Sequence, residues 1–184
     1  MNSRYANRAA AAALLLLLAG AGGCGYTTQS LFPTEYRTIA IPTWQRGREV
    51  YRREWEFLLT EAIVKEVANR TPYKVVDRKH ADTLLTGKII RISRQMLSRN
   101  PDTGLAREEE ITIEVAFEWT NLRTGEVIKK VDRLPVSGTH VAEQGGNLPT
   151  DPDVGTDFFR GAEGVVDRAA RIIVEHLESP WGKP

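Results

Sequence analysis

The sequence predicts an α+β fold: a two-layer sandwich in which two amphipathic helices pack on one face of a mixed four-stranded sheet, with room for a fifth strand near Pro135 to Val141. Three observations predict it. Tyr51, Trp55, Leu58, Leu59, Ala62 and Ile63 recur at helical spacing. Ala162, Val165, Val166, Ala169, Ile172, Ile173 and Leu177 trace a second helical stripe. Between them, Ile111, Ile113, Val115, Phe117 and Trp119 alternate with Thr112, Glu114, Ala116, Glu118 and Thr120, the period of a strand with one buried face. Each helix has one stripe to bury and the strand has one face, so a single interface serves all three.

The elements follow in order. Thr38 to Pro42 is a short β-type run closed by proline, with Ile39 and Ile41 on one face. The first helix should span residues 50–69, and Asn69-Arg70-Thr71-Pro72 stops it. Tyr73 to Val76 reads as a second strand. Ala81-Asp82 opens a third, which runs through Leu84, Leu85, Ile89, Ile90 and Ile92 toward Leu97. Asn100 to Gly104 supplies a turn into the alternating strand, and Asn121 to Gly125 a hairpin loop. Glu126 to Leu134 returns with Val127, Ile128 and Val131 as its apolar members, a pattern that leaves the inward face undecided. Glu143 to Gly155 holds Gly145, Gly146, Pro149 and Pro152 without periodicity and reads as a surface loop. Asp157 can cap the second helix, which ends before Ser179-Pro180.

The first two dozen residues stand apart from this domain. Arg4 and Arg8 precede an apolar stretch from Ala9 to Leu18 and small residues from Ala19 to Gly23, the layout of an export signal. The apolar stretch is too short to span a bilayer. It leads into Ala21-Gly22-Gly23-Cys24, which places the single cysteine where a lipoprotein signal peptidase cuts and leaves the thiol to carry diacylglycerol and the new N-terminus an acyl chain. A lone exported thiol at that position is otherwise a reactive liability; the competing reading is ordinary cleavage after Ala21 with a free thiol. The expected organisation is a signal peptide over 1–23, a lipidated N-terminus and tether over 24–37, and one domain over 38–184. About nine residues separate Cys24 from Pro33, at most about 30 Å when extended, which favours work close to a membrane.

Composition narrows the chemistry. The 184 residues carry 25 Lys+Arg against 24 Asp+Glu, and removing the signal takes away Arg4 and Arg8, so no basic excess points to nucleic acid. One cysteine excludes an internal disulfide framework, and one cysteine with three histidines is a poor basis for a four-ligand Cys/His zinc site. There is no Gly-x-Gly-x-x-Gly, phosphate loop or His-Glu-x-x-His. His80, His140 and His176 lie in unlike settings that no motif joins, and His176 reads as a packing residue at the edge of the second stripe. Asp82, a lone carboxylate opening a strand, reads as a residue that caps or orders a turn. The expectation is a protein without catalytic residues, metal or cofactor beyond the acyl groups on Cys24.

Two groups of cations remain. Arg91, Arg94 and Arg99 lie along the third strand, and Lys129, Lys130 and Arg133 on the hairpin's return strand. If the strands are neighbours these six can project toward one end of the sheet, where a phosphorylated lipid would meet Arg forks and mobile Lys charges. The alternative is a solvated face neutralised by Glu108, Glu109, Glu110 and Asp132.

Cys24-Gly25-Tyr26, the Ile39-to-Pro42 strand and Ala81-Asp82-x-x-Leu85-x-Gly87-x-Ile89 together resemble the LptE family of lipopolysaccharide-assembly lipoproteins. The resemblance runs through nearly all of the chain after Cys24. It implies a domain lipid-anchored on the periplasmic side of the outer membrane, plugging and supporting an LptD-type β-barrel and helping lipopolysaccharide to the outer leaflet. A lipoprotein regulating a cell-wall synthase, similar to LpoB, is the other function this architecture accommodates.

Overall fold

A computed structural model describes residues 31–50, 54–99, 101, 106–141 and 154–178. The signal, Cys24, the tether through Ser30, the helix start at Tyr51, most of the Asn100–Gly104 turn and the loop from Glu143 to Asp153 lie outside the described residues. In chain order the elements are β1 (Thr38–Ala40), β2 (Gln45–Arg46), α1 (Glu54–Arg70), β3 (Lys74–Val75), a 3-10 turn (Arg78–His80), β4 (Thr83–Arg99), β5 (Ala106–Asn121), β6 (Val127–Val141) and α2 (Val154–Glu175).

One mixed sheet holds all the strands, in the order β3-β1-β4-β5-β6, with β2 also pairing β4. β1 runs parallel to β3 and β4, and β2 parallel to β4, whereas β4–β5 and β5–β6 are antiparallel. The α+β class and the two-helix mixed sheet are as the sequence predicts. The count differs in two ways. Gln45–Arg46 adds a strand too short to show a period, and Pro135 to Val141 is the distal half of β6, not a separate strand. The reason is a bulge: β5 takes two steps from Val115 to Phe117 while β6 takes three, from Leu134 back to Val131. The extra residue breaks the alternation, so one long strand reads as two and its inward face is hidden.

The β5 residues Ile111, Ile113, Val115, Phe117 and Trp119 are all buried in one core with both helices. α1 contributes Trp55, Leu59, Ile63 and Val67, one per turn. Thr71 ends α1, its N–H and hydroxyl both donating to the Val67 carbonyl. α2 contributes Val165, Val166, Ala169, Ala170, Ile173 and Val174, and Leu177 in the turn after it is also buried. It begins at Val154, so Asp157 lies inside its first turn and is not its cap. Glu66 receives Arg70 at 3.1 Å and Arg171 at 3.7 Å, which ties the two helices on their solvent side.

Packing starts before β1. Phe32 is buried edge-on to Tyr73, with ring centroids 5.9 Å apart, and the Tyr73 hydroxyl donates to the Pro33 carbonyl at 3.1 Å. Tyr36 meets Trp119 edge-on at 5.8 Å. Phe32, Pro33 and Tyr36, before the first strand, thus pack with the domain. Among the described residues no helix is long and apolar enough to cross a membrane.

Candidate functional site

Two polar clusters stand out, and they do different things. The first is at the start of β4. Asp82 Oδ2 accepts the backbone N–H groups of Arg37 at 3.0 Å and Thr38 at 3.1 Å, together with the Thr38 hydroxyl at 2.9 Å. In return the Asp82 N–H donates to the Thr38 hydroxyl at 2.8 Å. Asp82 Oδ1 takes the Arg123 guanidinium from the β5–β6 turn, and the Asp82 carbonyl accepts the Leu122 N–H at 2.9 Å. One side chain thus joins β1, β4 and the hairpin turn. The backbone bond from Arg37, helped by Arg123 and Thr38, holds its carboxyl down to about 2. It has the role of a residue ordering a turn.

The rest of the Ala-Asp-x-x-Leu-x-Gly-x-Ile stretch is explained by the same strand. Leu85 and Ile89 are fully buried, opposite Trp119 and Val115. Gly87, opposite Phe117, lies under the Trp44 ring, where a Cβ would sit 2.6 Å from the ring carbons. Only glycine lets that indole lie flat on the strand. Trp44, just before β2, is a core residue that no periodicity marks, and its backbone N–H donates to the Thr60 hydroxyl of α1 at 3.0 Å.

The second cluster lies on the sheet face opposite the helices. Strand alternation sends Thr112, Glu114, Ala116 and Glu118 there. Glu114 Oε1 accepts Arg91 of β4 at 2.8 Å, and Arg133 of β6 reaches both carboxylate oxygens at 2.8 and 2.9 Å. The two guanidiniums cover the carboxylate so well that Glu114 is only 7% exposed. The hydrogen bond from Arg133, then that from Arg91, lowers the Glu114 pKa, and Glu114 in turn raises that of Arg91. The triad carries a net charge of +1. Both arginines keep about half or more of their side chains in solvent, at 46% and 63% exposure. They form a preorganised pair of planar donors to which a phosphate or carboxylate can add.

The six cations singled out from sequence do not form one patch. β5 lies between β4 and β6, so the two groups are not on neighbouring strands. The pleat divides them further. Arg91, Arg133 and Lys130 share the uncovered face, Lys130 paired with Asp132 at 3.4 Å. Lys129, opposite Trp119, turns to the helix side and lines a shallow depression of about 240 Å³ with Glu175, His176 and Glu178 at the end of α2. Arg94 lies opposite Ile111 and meets Glu109 at 3.5 Å, while Arg99 Nε reaches the Met96 sulfur at 3.1 Å. Glu114, the residue that organises the face, belongs to no charge cluster or motif in the sequence. Its signal was its polar position in the cleanest alternating strand, readable only once the register sets it opposite Arg91.

No catalytic geometry accompanies these clusters among the described residues. His176 donates from Nδ1 to the Ile172 carbonyl at 2.8 Å, which fixes its proton there, and packs edge-on to Phe117 with centroids 5.7 Å apart. His80 is exposed at the end of the 3-10 turn, where its carbonyl accepts the Thr38 hydroxyl at 3.3 Å. No group of three or more His, Cys, Asp or Glu among the described residues could hold a metal ion.

Two helices on one face of a mixed sheet, with one carboxylate pinning its strands and an ion-paired cluster on the uncovered face, define the class: a small two-layer α+β domain. The family model LptE, described as lipopolysaccharide-assembly, matches residues 36–177, and the chain belongs to that family. Among curated proteins, none matches its sequence. Similar in structure is the rare lipoprotein B from Shewanella oneidensis, at 17% identity and a TM-score of 0.47, covering 76% of this chain and 92% of that one. A minor lipoprotein from Acinetobacter baumannii is similar at 13% identity and a TM-score of 0.44, covering 79% and 92% of the two chains.

Proposed function

We propose that this protein is a lipoprotein of lipopolysaccharide assembly, held by acyl chains on Cys24 at the periplasmic side of the outer membrane, where it plugs and supports an LptD-type β-barrel without catalysing a reaction. The observation that carries this reading is the family match, which spans β1 to the end of α2. The uncovered face adds to it: Arg91 and Arg133, braced on Glu114, offer guanidinium forks to the phosphates of lipopolysaccharide as the lipid passes. The role needs no enclosed active centre, because a plug works through its exterior.

The test is affinity capture of the full chain from detergent-solubilised membranes of its own cells. Recovery of a large outer-membrane barrel together with lipopolysaccharide is the expected result. Recovery of a cell-wall synthase without a barrel would overturn the reading in favour of an envelope regulator. In the same cells Cys24→Ala should weaken membrane partitioning, since two or three acyl chains anchor far better than none. If the barrel alone retains the processed variant, protein contacts suffice for attachment.

A further inference from the structure

The starts of β1, β3 and β4 lie level at one end of the sheet: Thr38 is opposite Lys74, and Ile39 is opposite both Val75 and Thr83. The 3-10 turn is tied to the same end, because the His80 carbonyl accepts the Thr38 hydroxyl at 3.3 Å. The Arg37 carbonyl accepts the Lys74 N–H at 2.9 Å. Arg37, Lys74, Arg78, Lys79 and His80 are thereby gathered at one corner, and all five are exposed.

These cations differ from those of the rest of the domain. Arg70, Arg91, Arg94, Lys130, Arg133 and Arg171 each meet a carboxylate. No ion pair among the described residues engages the side chain of Arg37, Lys74, Arg78 or Lys79. Glu35 and Asp77 are the carboxylates of the corner, so four fixed cations stand against two anions there, in a chain whose charges otherwise balance. The β6 side of the same end, with Glu126 and the neutral Arg123–Asp82 pair, carries no such excess.

What lies against this corner follows from where the chain enters it. Phe32, the first buried residue of the domain, packs on Tyr73, the residue before Lys74. Seven residues separate Phe32 from Cys24, so acyl chains on Cys24 keep Phe32 within about 28 Å of the bilayer surface. β4 alone runs about 50 Å from Thr83 to Arg99. The tether is shorter than the sheet, which keeps this corner, and not the opposite end, within constant reach of the leaflet. An anionic leaflet attracts cations within about 10 Å at 0.1 M salt, and each Lys or Arg brought there raises association about fivefold. With the anchor already holding the domain close, a few such charges suffice.

We propose that the corner carrying Arg37, Lys74, Arg78 and Lys79 rests on the anionic phospholipid headgroups of the leaflet that holds the anchor. The guanidiniums and ammoniums meet lipid phosphates there, and the sheet stands away from the membrane behind them. The inference rests on the acylation of Cys24 put forward above, and concerns the anchored chain by itself; no barrel enters it.

Lysine modification of the full processed, acylated chain tests it, on vesicles of phosphatidylcholine alone and on vesicles with about one-third phosphatidylglycerol. A water-soluble N-hydroxysuccinimide ester is the reagent, and flotation confirms that the chain is on the vesicles. With the docked state populated about twice as much as the undocked, Lys74 and Lys79 should react about threefold more slowly on the anionic vesicles. Lys88, exposed and about 17 Å further along β4 than Thr83, should react alike on both. Salt at about 1 M, where screening acts within about 3 Å, should abolish the difference. So should Arg37→Gln with Arg78→Gln, which removes two of the four charges from exposed side chains that no described hydrogen bond or ion pair uses. Equal rates on the two vesicles, slowing that extends to Lys88, or slowing that survives both the salt and the double variant would overturn the proposal while leaving the anchor in place. A chain that floats with neither vesicle would overturn the acylation reading and this inference with it.

Discussion

The two ends of the long β4–β5–β6 ladder are built from the same kind of strand and held in opposite ways. At the closed end, Thr83 to Ile89 is flanked by β1 and β2, roofed by Trp44 and pinned by Asp82. At the open end, Ser93 to Leu97 is exposed along its whole run and has β5 as its single strand neighbour among the described residues. The closed end concentrates residues whose replacement disturbs packing, the open end residues whose replacement alters only charge and edge chemistry. The difference teaches where the family motif acts: Asp82, Leu85, Gly87 and Ile89 all build the closed end. It is a motif of architecture, whereas Arg91, Glu114 and Arg133, the groups proposed to face a ligand, lie outside it.

The largest expected effect tests the closed end at its centre. Phe117 is buried between Trp44 and His176. Phe117→Ala should cost about 3 kcal/mol in denaturant unfolding, from lost transfer energy and the cavity left behind. Glu118→Ala, one residue on and on the opposite face, should stay within about 0.5 kcal/mol. Equal losses at both would break the two-layer arrangement. Next in size is Gly87→Ala. A methyl group there meets the Trp44 ring at 2.6 Å, so overpacking of about 1–3 kcal/mol is expected. A smaller side chain at Trp44 should relieve part of that penalty in the double variant, a non-additivity that two distant sites would not show.

How much of this was legible depended on regularity. The α1 and α2 stripes and the β5 alternation are uninterrupted, so their buried faces could be read directly from residues such as Leu59, Ile173 and Val115. β6 could not be read in the same way because its bulge near Arg133 shifts the period. The two-residue strand β2 has no period at all. The Asp82 role was legible in kind, since a carboxylate at a strand start orders backbone donors, but its partner Arg123 lies 41 residues away and only the fold joins them. The candidate face was the least legible. Lys129 and Lys130 are adjacent in sequence yet on opposite faces, and Glu114 becomes the hub only through pairing across three strands.

A pH titration sharpens the comparison at the pin. The Asp82 carboxyl is depressed from 3.8 to about 2 in the folded chain. Its stabilising contribution is therefore complete above the unfolded value and lost as pH falls through the window from about 4 to about 2. Asp82→Asn keeps an oxygen acceptor but loses the charge toward Arg123. It should cost on the order of 1–2 kcal/mol at neutral pH, discounted because the Arg123 guanidinium is solvent-exposed. The variant and the parent should converge in stability at the bottom of that window. A difference that persists below it would mean that Asp82 acts by shape and not by charge.

The smallest effect belongs to the open end. Leu97→Ser removes an apolar side chain that is about half exposed at the bulged part of β4. It leaves no buried cavity and no unpaired buried group, so unfolding free energy should shift by no more than about 0.5 kcal/mol. The local consequence should be just as limited: amides from Ser93 to Arg99 should already exchange faster than those from Leu84 to Ile89, because few buried contacts hold the arm closed. The measurement is residue-resolved exchange on parent and variant under identical conditions. Slow exchange across the arm, or a Leu97→Ser loss approaching that of Gly87→Ala, would show that something covers this edge and that the two ends of the ladder are held alike.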